Sequence, residues 1–475
     1  MKENGMAVKD KGIATTDMQQ FAADVVAKAL AAGATDAEAV IAEGDEFSVL
    51  VRLGQVETLT ESGSRAIGLR VFLADSQGQR VASTSSSDLS SDSIEQLVSG
   101  AIALAKITSV DPFAGLPERS AFGKLEGDLA LSFDDVYTLS GEERIALARR
   151  AEEAALAADT RIQNSDGGSF DAGTGHKVLV NSRGFAGEYR RSHCSISAVP
   201  IAQDANGGMQ RDYWYSSART LKLLDSPEAI GKEAARRTLR RLGARRVPTQ
   251  KASIVFSKEM ARGIMGNIFE AANGDSIYRS ASFFTGMLGE RVAGENVTVI
   301  DDGTLVFEKD GIRYGGFGTS PYDSEGLKSR RTVVIEKGIL KNYLLNTYTG
   351  RKLNMPSTAN GSRGLAGNPG IGSGNFYLEA GTQTPREIIA DVKSGLYVTE
   401  TMGFGVNLVT GDYSQGASGI WIENGIFTHP VEEITIAGNL KEMYRNIVAI
   451  GNDLVFRSSA ASPTIRIEGM TIAGA

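Results

Sequence analysis

Three histidines, His176, His193 and His429, and one cysteine, Cys194, are the only imidazole and thiol groups in 475 residues. They could ligate a metal or act as base and nucleophile, so their spacing is decisive. The histidines lie far apart, and no H-E-x-x-H, cysteine pair or calcium-loop pattern occurs. The plain reading is three unrelated imidazoles at or near the surface. His193 and Cys194 are adjacent, which invites a thiolate–imidazole pair. Neighbours on a strand point to opposite faces, so a small buried cysteine is expected instead. No G-x-S-x-G elbow is present, and a serine hydrolase would need one of the three histidines as its base. No catalytic residue, metal ligand or cofactor is assigned on these grounds.

Other stretches could bind rather than react. GNPGIGSGN (367–375) and GDYSQGASG (411–419) could cradle a phosphate through backbone N–H groups, but neither has the spacing of a nucleotide loop. A loop or tight hairpin near a groove is expected. RRTLRRLGARR (236–246) holds six arginines without interleaved aromatics, which reads as a solvated basic face. PYDSEGLKSRR (321–331) mixes carboxylates, Ser324 and cations, and could contact a peptide or form a well-tied loop. SIVFSKEMARGIMGNIFE (253–270) is a short strand followed by a helix containing Gly263 and Gly266. Each interior glycine costs a helix about 1 kcal/mol relative to alanine, so close backbone packing or a site is expected there.

The elements that must position these residues follow from periodicity. Asp17 reads as an N-cap, and Met18–Ala32 is helical, with Phe21, Val25 and Leu30 on its apolar face. Strands are expected at 37–42, 48–53, 56–61, 65–74 and 79–83, then a helix at 94–107. After a breaker stretch (111–125) the pattern recurs: a helix at 141–158, strands and turns over 161–217, and a helix at 227–242. This is an internal duplication of a helix–meander–helix unit. Beyond a linker at 245–250 the chain is strand and glycine-rich turn. Hairpin signals are Asp302–Gly303, Asp310–Gly311, Lys337–Gly338 and Asn424–Gly425. Helices are expected after Ser257, near 385–394 and near 440–450. The fold class is α+β: an N-terminal α/β region with the duplication, followed by a β-rich C-terminal domain with few helices. The division is 1–16 disordered, 17–110 and 126–244 as two α+β units of one domain, and 251–475 as the β-rich domain.

A net charge of −7 argues against a nucleic-acid or anionic-membrane partner, and one cysteine excludes an intrachain disulfide. No apolar run reaches the ~18 residues of a membrane span, and the N-terminus lacks a signal-peptide core, so a cytoplasmic protein is expected.

Long ordered blocks resemble the TldD/PmbA family, and within it the PmbA (TldE) branch. They are PYDSEGLKSRR, KGILKNYLLNTYTGRKLNMPSTAN, VTGDYSQGASGIWIENG and HPVEEITIAGNLKEMYRNIVAIGND. The resemblance implies a cytoplasmic proteolytic complex acting on unfolded or leader-type peptides. In the TldD branch, H-E-x-x-x-H lies on the helix that begins the C-terminal domain, and a further cysteine ligand lies near the C-terminus. Here the matching helix has Lys258, Glu259 and Asn267 but no histidine, and the tail GNDLVFRSSAASPTIRIEG has no cysteine. The resemblance therefore implies a subunit without zinc, paired with a TldD-like zinc-bearing subunit or with itself. Peptide would dock by adding a strand to a sheet edge. The loops at Tyr322–Gly326 and Asp412–Gly416 would border the chamber, with Tyr322, Asp323, Ser324, Asp412 and Ser414 as substrate-binding residues. The rival expectations are a standalone peptide-binding or scaffold homodimer without enzymatic activity, and a self-contained hydrolase using Cys194 or a serine.

Overall fold

Asp17 starts the first helix by accepting the backbone N–H groups of Gln19 and Gln20 at 3.0 and 3.1 Å, satisfying donors that a helix start leaves open. The computed structural model describes residues 17–474, and the expectation for 1–16 lies outside them. The first unit is α1 (Met18–Ala31), β1 (Asp36–Arg52), β2 (Gln55–Asp75), β3 (Gly78–Ser86) and α2 (Ser91–Ile107). The second is α3 (Gly141–Leu156), β4 (Ile162–Asn181), β5 (Ala186–Gln203), β6 (Met209–Arg211), β7 (Trp214–Ala218) and α4 (Pro227–Leu239).

One sheet carries both units in the order β3-β2-β1-β4-β5-β6, with β7 also on β5. The first strands of the two units, β1 and β4, meet antiparallel at its centre, from Glu38 opposite Asn181 to Val51 opposite Gly168. The helix–meander–helix unit therefore occurs twice, back to back. Val25, Ile94 and Ala101 of α1 and α2 bury Ile41, Leu69 and Val180. Ala148, Ala151 and Ile230 of α3 and α4 bury Phe47, Phe170 and Ile196. Leu30 is not on the buried face of α1; Ala22, Val25, Val26 and Ala29 are.

The sequence divided β1 at 43–47 and β2 at 62–64, but each is a single strand, of 17 and 21 residues. Pairing to β2 on one side and β4 on the other keeps β1 extended through Gly44, where a Cβ would meet the Thr174 carbonyl at 2.4 Å. β3 covers only Ile67–Asp75 of β2. Gln55–Arg65 is therefore a free sheet edge, with every side chain exposed.

The C-terminal half runs β8 (Gln250–Phe256), α5 (Lys258–Ala272), α6 (Gly274–Tyr278), β9 (Val299–Asp302), β10 (Val306–Lys309), β11 (Ile312–Gly315), β12 (Arg331–Glu336) and β13 (Ile339–Leu340). It continues with α7 (Thr347–Leu353), β14 (Gly361–Ser362), β15 (Gly370–Ile371), β16 (Asn375–Leu378), α8 (Pro385–Ala390), β17 (Ser394–Val406) and β18 (Asp412–Glu423). The last elements are β19 (Ile426–Asn439), α9 (Leu440–Arg445), β20 (Ile447–Ile450), β21 (Ala460–Ala461) and β22 (Ile465–Ala473). A sheet in the order β19-β18-β17-β8-β22-β20 closes on itself through an additional β19–β22 pairing over Thr435–Ala437, which covers part of the β19 edge. A second sheet has the order β13-β12-β9-β16-β21.

Asp310–Gly311, Lys337–Gly338 and Asn424–Gly425 make the β10–β11, β12–β13 and β18–β19 hairpins, both residues of each pair having positive φ. Asp302–Gly303 does not, because β9 pairs with β12 and β16 instead of β10. The expected helix at 440–450 stops at Arg445, and Ile447–Ile450 joins β22 as a strand, as its β-branched residues favour. The arginine run is a solvated face only in part: Arg236, Arg245 and Arg246 are exposed, but Arg237, Arg240 and Arg241 are half-buried. Arg237 stacks on Trp214 at 3.7 Å and pairs with Glu233 and Glu259, Arg241 pairs with Glu400, and Arg246 with Glu433. The pairs with Glu259, Glu400 and Glu433 tie α4 and the segment after it to the C-terminal half.

Candidate functional site

Helix α5 starts at Ser257, whose hydroxyl accepts the Met260 N–H at 3.4 Å, and buries Ala261, Ile264, Met265, Ile268, Ala271 and Ala272. The opposite side carries Gly263 and Gly266, both exposed. A Cβ at either would meet nothing within 4 Å, so the close packing expected there is absent among the described residues. The C-terminal tail does come to this helix. Arg262 Nη1 donates to Ser458 Oγ at 3.3 Å, and Lys258, Glu259 and Arg262 share a small pocket with Ala460, Ala461 and Ser462. Where helix and tail meet, the side-chain contact is between this arginine and this serine. Among the described residues no three His, Cys, Asp or Glu side chains converge as metal ligands, so the donor set does not fit zinc.

The histidines are separate. His176 lies between Glu43 and Glu188 at 2.9 and 3.0 Å, His193 is 3.5 Å from Glu46, and His429 Nδ1 is 3.0 Å from Thr428 Oγ1. Cys194 faces the core with its Sγ 3.6 Å from the Ala218 carbonyl, and burial, with the Asp135 charge, pushes the thiol up to about 12. It is inert at neutral pH.

Polar groups gather instead beneath the loop between β11 and β12. The Asp323 carboxylate ties this loop: Oδ1 accepts the Glu325 and Leu327 N–H groups at 2.9 Å each, and Oδ2 accepts the Gly361 N–H at 2.8 Å. Tyr322 packs edge-on to Phe185 and Tyr189, from the turn before β5 and from β5 itself. Glu325 Oε2 accepts the Thr347 N–H at 2.7 Å. The next loop, after β14, is pressed onto the N-terminal sheet so closely that the Leu365 carbonyl lies 1.7 Å from where a Cβ on Gly68 would be. Both halves of the chain thus build the place.

Between them is a cavity of about 250 Å³, open to solvent on one side, walled by Lys177, Arg191, Asp301, Tyr322, Asp323 and Ser324. Gly372–Gly374 also line it, so the 367–375 stretch is a loop at a groove. Lys177 reaches it from β4 and donates to Ser324 Oγ at 2.9 Å. Behind the wall, Glu38 Oε1 lies 2.6 Å from Arg70 and 3.4 Å from Arg363, all shielded from solvent.

Burial controls titration here. It lowers the Lys177 ammonium to about 8, helped by the Arg363 and Arg191 charges. It raises Asp301 to about 7 against the hydrogen bond from Asn360. It also raises Asp323 and Glu325, with the Glu325 charge adding to the shift at Asp323. Asp301 Oδ1 and the Tyr322 hydroxyl are buried without hydrogen-bond partners among the described residues. Unmet buried polar atoms and displaced carboxyl and amine titrations, gathered around one cavity, make it the candidate site.

Of the residues expected to bind substrate, the structure gathers Tyr322, Asp323 and Ser324 in this cavity. Asp412 and Ser414, both exposed on β18, are not among its lining residues. The Asp412 carboxylate accepts from Thr410 Oγ1 at 2.6 Å and Asn439 Nδ2 at 3.2 Å, which hold it below its usual range. Sequence reasoning did not find Lys177, Arg191 or Asp301. A polar residue at an inward strand position, such as Asp301 after Val297 and Val299, is the signal that could have marked them.

Residues 37–105, 134–242 and 249–474 match the models for domain 1, the central domain and the C-terminal domain of PmbA/TldA metallopeptidases. The chain is 39% identical over 446 residues to Metalloprotease PmbA of Escherichia coli O157:H7, covering 94% of each chain. It is 34% identical over 459 residues to a Metalloprotease PmbA homolog of Haemophilus influenzae, covering 96% of each. A solved structure from Bacteroides thetaiotaomicron, named for a suggested role in modulating DNA gyrase, superposes with a TM-score of 0.87 at 27% identity, covering 97% of this chain and 100% of that one. TldE from Thermococcus kodakarensis shares the fold, with a TM-score of 0.81 at 18% identity, covering 96% of this chain and 100% of that one.

Proposed function

The chain belongs to the PmbA/TldD metallopeptidase family, and from that premise we propose that it is the peptide-holding, zinc-free subunit of a cytoplasmic TldD/TldE-type protease. A zinc-bearing partner supplies hydrolysis, and unfolded or leader-type peptides are the substrates. The observation that carries this reading is the meeting of α5 with the C-terminal tail. The two segments that the resemblance makes metal-holding in the active branch come together here through Arg262 and Ser458, with no histidine in the helix and no cysteine in the tail.

Peptide capture follows from the free edge of β2. Gln55–Arg65 offers unpaired backbone donors and acceptors over roughly 35 Å at ~3.3 Å per residue, and its side chains are open on both faces. Main-chain pairing along such an edge grips any extended peptide irrespective of side chains, as a protease of unfolded chains requires. The bare strip at Gly263 and Gly266 gives the partner subunit close access to the α5 backbone.

The mode of capture is tested with peptides alone. Fluorescence anisotropy compares an unstructured twelve-residue peptide with the same peptide N-methylated at alternate residues (the length is on the order of the free edge). N-methylation is expected to weaken binding at least tenfold. Equal affinity for both peptides refutes strand addition.

A further inference from the structure

A lysine amine hydrogen-bonded to a serine hydroxyl, without a carboxylate to neutralise the amine, is the arrangement that lets lysine replace histidine as the base for a serine nucleophile. Lys177 has this arrangement. Its one side-chain hydrogen bond among the described residues goes to Ser324 Oγ at 2.9 Å, and it makes no ion pair within 4 Å there. From the cavity wall, we propose that Ser324 and Lys177 form an acyl-transfer dyad, acting on ester or peptide carbonyls independently of any metal.

Three features of the cavity fit this chemistry. First, Ser324 is rigidly presented. Its N–H donates to the Gly361 carbonyl at 2.8 Å, and the Asp323 carboxylate fixes the backbone that follows it, at Glu325 and Leu327. Second, burial and the neighbouring Arg363 and Arg191 charges favour the neutral amine and outweigh the opposing pull of Asp323 and Glu38. A useful fraction of Lys177 can therefore accept a proton near neutral pH. Third, Arg191 lines the same cavity and its positive field reaches Lys177, a charge of the sign that stabilises an oxyanion. The cavity is large enough for an acyl group and open at one side for the rest of the substrate.

The step balances without a co-reactant other than water. Ser324 Oγ bonds to the carbonyl carbon as its proton passes to the Lys177 amine. The tetrahedral oxyanion collapses, the bond to the leaving alcohol or amine breaks, and the Lys177 ammonium returns the proton to that leaving group. Water then attacks the acyl-serine ester, again giving its proton to Lys177, and Ser324 is released with its hydroxyl restored.

The experiment uses the full-length chain with excess chelator and a fluorophosphonate probe. The probe phosphorylates an activated serine with loss of fluoride, and digestion and mass spectrometry locate the adduct. A single adduct is expected on Ser324, its rate rising with pH to a midpoint near 8. Lys177→Arg preserves a hydrogen bond and charge but cannot act as base, and is expected to slow labelling at least about 100-fold. No adduct on Ser324 in the unaltered protein overturns the proposal, as does equal labelling of the Lys177→Arg protein. Because chelator is present throughout, this outcome is independent of whether a zinc-bearing partner drives peptide cleavage.

Discussion

Replacing Asp323 with alanine removes one side chain that accepts three backbone N–H bonds, from Glu325, Leu327 and Gly361. A buried donor left unsatisfied costs about 1–3 kcal/mol, so three would cost roughly 3–9 kcal/mol if nothing relaxed. Two effects reduce this. The neighbouring cavity lets water reach part of the loop, and removal of a carboxyl whose titration burial has raised relieves its desolvation. A local loss of about 3 kcal/mol is expected, equal to a ~100-fold increase in opening. Hydrogen exchange read by mass spectrometry on peptides covering 320–330 and 359–363 measures it directly. Those amides should exchange ~100-fold faster while the closed β8–β22 sheet keeps its protection. Asp323→Asn keeps one acceptor oxygen for two of the three donors and is expected to lose about a third as much. Unchanged protection in the alanine protein would refute the account of how the cavity loop is held.

Gly263→Ala and Gly266→Ala should each stabilise the isolated chain by up to about 1 kcal/mol, read by thermal or urea denaturation, because the added Cβ meets nothing. Bulky residues at the same positions should block partner association without loss of folding, seen by analytical ultracentrifugation. Cys194 should resist thiol reagents in the native protein and react only on unfolding; rapid native labelling would contradict its burial. Asp301 titrates in the folded chain at about 7, above its ordinary 3.8. Its stabilising contribution is therefore full below about pH 4 and lost as pH rises to 7. Asp301→Asn, which lacks this slope, should gain stability relative to the unaltered protein across that window. In the reconstituted complex, Asp323→Ala and Asp412→Ala should both slow peptide cleavage; unchanged kinetics in both would remove the Tyr322–Gly326 loop and the start of β18 from peptide binding.

The duplicated helix–meander–helix unit was legible because each copy repeats the same order of periods, a helix, alternating strands and turns, and a second helix. Strand lengths were not legible. The stretches 43–47 and 62–64 read as breaks between strands, but tertiary pairing on β1 overrides local preference. The dipeptide rule succeeded at Asp310, Lys337 and Asn424, where the flanking strands pair, and failed at Asp302, whose strand pairs with distant segments. The two glycines of α5 were legible as a cost but not as a surface, since propensity carries no information about what lies outside. For the cavity, PYDSEG pointed to one wall. Lys177 and Arg191 come from strands more than a hundred residues earlier, and only the β4–β5 register brings them under Ser324.

The most direct measurement is chelator-sensitive cleavage of an unfolded peptide by this chain alone, by a zinc-bearing TldD-type subunit alone, and by the two together. The account predicts that this chain has none by itself, and that the mixture cleaves far faster than the zinc-bearing subunit alone. Chelator-sensitive cleavage by this chain alone, or a mixture no faster than the zinc-bearing subunit, would contradict it.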